Sequence, residues 1–137
     1  MAERKNKIMN VYEQKIKDDI NRIANNDVYS DDKRIMDLPE DKYEKIICYL
    51  MSCACCGQNE LPIMFGREVL VSLPQEWICE KIKDLVFKSI NIYDDWDYRR
   101  FLELSKMISD DLLDWAISIS NHSQNPDIIE AAEDFKE

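Results

Sequence analysis

Glycine and proline are scarce here, with 2 Gly and 4 Pro in 137 residues. Tight strand connections need glycine at positive-φ turn positions, so this scarcity predicts helices and excludes a turn-rich β fold. Two glycines cannot build a phosphate-cradling loop, and no G-x-S-x-G or H-E-x-x-H motif is present. Histidine occurs once, as His122. No apolar run approaches the roughly 18 residues of a membrane-spanning helix. The N-terminal MAERKNKIMN carries charge without an apolar stretch behind it, so no signal peptide is expected. Positive charge is also short, at 18 Lys and Arg against 28 Asp and Glu, for a net −10. That balance opposes nucleic-acid binding, because phosphates would be repelled. The five cysteines are an odd number and four crowd together. They fit reduced thiols in a cytoplasmic protein better than a disulfide framework.

Apolar residues make up 45% of the chain. That is ample for the core of one all-α domain over residues 1–137. A first helix is expected from about Lys5 to Asn25. Met9, Tyr12, Ile16, Ile20 and Ile23 share one face, and Lys15, Lys17, Asp18 and Asp19 lie mostly on the others. Asn25 to Asp37 shows no period and reads as a loop. A second helix starts at Leu38-Pro39, with Asp37 as its expected cap, and ends near Gly57. Leu61 to Leu70 is expected as a brief further helix. Leu73-Pro74 then repeats the first Leu-Pro pair, with Ser72 in the position of Asp37. Such matched starts suit a stacked helix-pair repeat.

The clearest form lies in a helical hairpin and last helix over about residues 94–136. Ser109 is the expected cap between the hairpin's two helices, and Asn125-Pro126 the expected start of the last. A link this short makes the paired helices antiparallel. Trp77, Ile82, Phe101, Leu104, Leu112, Ile117, Ile128 and Phe135 are the expected core. The whole predicts stacked antiparallel pairs, five to seven helices in all.

Cys48, Cys53, Cys55, Cys56 and Cys79 invite a metal reading, since a closed zinc site takes four ligands. Their C-x4-C-x-C-C spacing contains no paired C-x2-C knuckles, and no C-x-x-C redox pair occurs. Buried free cysteine packs as a small hydrophobe. The enzyme alternative is thiol or metal chemistry through the Cys48–Cys56 cluster with His122. Otherwise no catalytic residue, metal or cofactor is expected.

The acidic clusters say more. From Asn91 to the C-terminus 12 Asp and Glu face 4 Lys and Arg, whereas the first 37 residues balance at 8 and 8. Asp94, Asp95, Trp96, Asp97, Asp110, Asp111 and Asp114 are therefore the candidate binding residues. The carboxylates would steer a basic partner and Trp96 would anchor it. Neither cluster has the glycine and terminal Glu of a calcium loop.

The hairpin followed by N-P-D-I-I-E-A-A-E-D-F resembles the tail of a HEAT-like helical array. With D-W-D-Y-R-R-F-L-E-L ahead of it, the stretch from Leu73 to Phe135 also resembles small bacterial helical proteins. Some of these are grouped with the immunity proteins of polymorphic toxin systems. The resemblance carries no catalytic motif. It implies a cytoplasmic binder of a cognate protein, such as a basic toxin domain, with no cofactor.

Overall fold

The computed structural model describes residues 10–28, 32–57 and 59–136. Among these are eight α-helices, one 3-10 turn and no strand. The helices are α1 (Val11–Ala24), α2 (Asp32–Met36), α3 (Glu40–Cys55), α4 (Glu60–Ser72), α5 (Gln75–Ser89), α6 (Asp95–Ile108), α7 (Asp110–Ser118) and α8 (Pro126–Asp134). The 3-10 turn spans Ile119–His122.

The all-α expectation holds, with one helix beyond the expected five to seven. The addition is α2, inside the segment read as a loop. At five residues it is too short to show a period, yet it carries Ile35, which is fully buried. Within the described residues helix α1 starts at Val11, where Asn10 caps it by accepting from the Tyr12 N–H at 2.8 Å. The expected portion from Lys5 to Met9 lies outside the described residues. Ile16 and Ile20 of its stripe are buried, and Tyr12 and Ile23 partly so.

Helix α3 is the hub, packing against α1, α4, α5 and α6. Ile46, Ile47, Leu50 and Met51 are fully enclosed in this layer. Each such side chain stabilises by about 1.5–3 kcal/mol relative to exposure. Helix α4 lies close on α3 at Gly66, where a Cβ would meet Cys53 Cβ at 3.0 Å and the Leu50 carbonyl at 3.2 Å. A side chain there would wedge the two helices apart.

Both Leu-Pro pairs start helices, but the capping differs from expectation. Pro39 and Pro74 themselves occupy the cap positions of α3 and α5, and neither helix has a side-chain cap. Ser72 ends α4 instead, its hydroxyl donating to the Val69 carbonyl at 2.6 Å. The C-terminal caps form as expected. Ser109 accepts from the Leu112 N–H, and Asn125 accepts from the Asp127 N–H with Pro126 first in α8. Tyr98, buried in the first turns of α6, donates its hydroxyl to the Ala116 carbonyl near the end of α7 at 2.8 Å. Helix α7 therefore runs back along α6. Of the expected core, Ile82, Phe101, Leu104, Leu112 and Ile128 are buried. Trp77, Ile117 and Phe135 are only half-buried against it.

Candidate functional site

Asp94 precedes α6 in extended backbone and caps it, accepting from the Trp96 N–H at 2.9 Å and the Asp97 N–H at 3.2 Å. Asp95, Trp96 and Asp97 form the first helical turn, where carboxylates suit the positive end of the helix dipole. Tyr98 turns into the core, which leaves Trp96 65% exposed. Asp97 faces the end of α3, and the Cys56 thiol donates to its carboxylate at 3.4 Å. Gly57 holds this approach at φ +82, a conformation open to glycine, and its carbonyl accepts from Arg100. Gly57, Asp94, Trp96, Asp97 and Arg100 thereby line one open cleft.

The structure does not gather all seven candidate residues. Asp110 and Asp111 open α7, at the opposite end of α6 from Asp94. At 1.5 Å per residue, 14 residues place the two clusters about 21 Å apart along the helix. Asp114 lies between them on α7, and all three are exposed. Asp111 instead borders a groove with Glu76, Glu80 and Asp84 of α5.

Two aromatics not expected from the sequence join the first cluster. Tyr93, in the α5–α6 connection, is 78% exposed, and Phe87, near the end of α5, is 57% exposed. Both line a cleft that shares Asp97 with the Trp96 cleft. Both also border an apolar cleft with Ile92, Ile119 and Ile128. The sequence signal was present: Phe87 falls off the buried stripe of Ile78, Ile82, Leu85 and Val86. Tyr93 follows that helix in polar sequence. The surface is mixed in charge, because Arg67, Arg99 and Arg100 reach the other flank of Trp96.

The cysteines do not converge on His122. Cys55 is fully buried in α3 and Cys79 sits on α5 beside the Ser109 hydroxyl at 3.4 Å. His122 is exposed and lines the apolar cleft with Phe87 and Tyr93. Burial, aided by the Asp97 carboxylate, pushes the Cys56 thiol up to about 11. Burial also pushes Cys53 and Cys55 up. Thiols so shifted are protonated near neutral pH and are weak nucleophiles. Among the described residues no three His, Cys, Asp or Glu side chains come together in a way that could hold a metal ion. No described helix is long and apolar enough to cross a membrane.

One carboxylate departs from its expected place on an outer face. Asp19 is 8% exposed and meets Lys15, Arg22 and the Tyr49 hydroxyl, the last at 2.6 Å. Burial pushes its carboxyl up, but Tyr49, Lys15 and Arg22 together outweigh that and hold it below the usual range. The group ties α1 to α3 and lines none of the clefts described above. Scans of protein-family models, curated proteins and solved structures each return no significant match to this chain.

Proposed function

We propose that this chain is a non-catalytic protein-binding module, built as HEAT-like stacked helix pairs, that acts as an immunity-type inhibitor of a basic toxin domain. The observation that carries the reading is the co-location of exposed Phe87, Tyr93 and Trp96 with the carboxylates of Asp94 and Asp97 in two clefts that share Asp97, with Asp95 beside them in the first turn of α6. Exposed aromatics beside connected clefts suit anchoring contacts, which dominate interface energy. Carboxylates around them suit a basic partner and speed its encounter. The contact centres on the start of α6. Asp110, Asp111 and Asp114 form a second acidic end that adds long-range attraction but no anchor.

The test is association kinetics with a partner captured from the source cell. Asp95→Lys is the informative reversal, because Asp95 neither caps α6 nor bonds Cys56. It should slow association and flatten the salt dependence. Affinity indifferent to both salt and Asp95→Lys would remove the acidic-rim reading.

A further inference from the structure

We propose a second site on the other flank of Trp96: a cleft between α4 and α6 that binds an oxyanion carried on a small apolar or aromatic group. Trp96, Arg99, Arg100 and Glu103 follow at helical spacing and share one face of α6. Ile63 and Arg67, four apart on α4, face them across the cleft. Three guanidiniums thus meet at one place in a chain of net charge −10.

Their hydrogen bonding leaves the cleft with spare donors. A guanidinium has five N–H donors. Arg67 uses Nη2, on Glu103 Oε1 at 2.6 Å and more weakly on the Arg100 carbonyl at 3.5 Å. Arg99 uses Nη1, on Asp134 Oδ2 at 2.8 Å, and Arg100 uses Nη1, on the Gly57 carbonyl. Each carboxylate contact is single rather than forked, so the paired geometry that guanidinium offers stays open. Arg67 Nε is buried and is the one such side-chain polar atom left without a partner among the described residues. Buried donors in native proteins are normally satisfied. A small shift of the Arg67 head toward an incoming oxyanion would satisfy it. Glu60 and Glu103 also line the cleft, so a bare multivalent anion gains less than a singly anchored one. Trp96 and Ile63 supply the apolar wall, which selects a ligand with a ring or short chain behind its anionic group.

This site shares Trp96 and Arg100 with the acidic-rim cleft but takes a ligand of the opposite charge. Uniformly 15N-labelled protein would be titrated with phenyl phosphate, phenylacetate and benzyl alcohol. The Trp96 indole N–H reports the wall, and the arginine Nε–H resonances report the donors. Saturable shifts with the two anions, and none with benzyl alcohol, are expected. Whichever anion binds more tightly identifies phosphate or carboxylate as the natural group. Arg99→Gln and Arg100→Gln should each weaken binding about tenfold, the worth of a charged hydrogen bond. Arg67→Lys, which keeps charge but loses the fork, should weaken it as well. Asp95→Lys, which should slow the association of a basic partner, should leave this binding equal or tighter. Equal shifts with benzyl alcohol, no saturation with either anion, or unchanged affinity in both glutamine variants at wild-type Tm would overturn the proposal.

Discussion

Replacing Tyr49 by Phe removes one hydroxyl from the join between α1 and α3. That hydroxyl donates to Asp19 at 2.6 Å, and Asp19 is almost enclosed. A hydrogen bond to a charged group contributes about 1.5–3 kcal/mol. Lys15 and Arg22 remain on the carboxylate but are themselves about two-thirds exposed, at 70% and 66%, so solvent offsets part of the loss. The expected cost is about 1–2 kcal/mol, or a Tm lower by about 3–8 °C. The pH dependence has a definite sign. Asp19 is held below its ordinary 3.8 in the folded state. Its stabilisation is therefore full above that value and lost as pH falls through the lower folded one. Tyr49→Phe removes one cause of the lowering, so the gap to wild type should be widest near neutral pH and shrink in acid. Urea denaturation of both proteins across that range measures it. A gap below about 0.5 kcal/mol at neutral pH, or one equally large in acid, would refute the account of this join as a hydrogen bond to a charged carboxylate.

Phe101→Ala should destabilise by about 3–5 kcal/mol, because the ring is fully enclosed; denaturant midpoints give the value. Asp94→Ala should cost about 0.5–2 kcal/mol through the lost cap, read as a fall in Tm, whereas Trp96→Ala should change stability by less than about 0.5 kcal/mol. Iodoacetamide alkylation of Cys56 should keep rising with pH beyond the range where an ordinary thiol levels off, because burial and the Asp97 carboxylate push its thiol up to about 11. Asp97→Asn should speed that reaction at fixed pH, as followed by mass spectrometry of the labelled peptide.

Local chemistry was legible in the sequence and tertiary placement was not. Ser109 and Asn125-Pro126 announced their helix starts because capping is settled within three residues. Asp37 and Ser72 looked like caps for the same reason, but proline takes the cap position and leaves them outside it. Trp96 could be read as exposed because the buried stripe begins only at Tyr98. The separation of the two aspartate clusters was hidden, since closeness in sequence across a hairpin becomes distance along α6. Asp19 and Tyr49 lie thirty positions apart, and nothing local to either residue signals their bond. The arginine cleft depends on Arg67 of α4 meeting α6, a pairing of faces that periodicity alone does not specify.

The central claim is that the aromatic, acid-rimmed start of α6 is the protein's binding end. Dissociation of the captured partner should be compared between Tyr93→Ala/Trp96→Ala and Asp110→Asn/Asp111→Asn, with Tm checked for each. The account predicts that the aromatic pair accelerates dissociation by about thirtyfold or more, the scale of a lost anchor of about 2 kcal/mol, while the distant pair leaves it unchanged. Unchanged dissociation in the aromatic variant, with binding lost in the other, would contradict it.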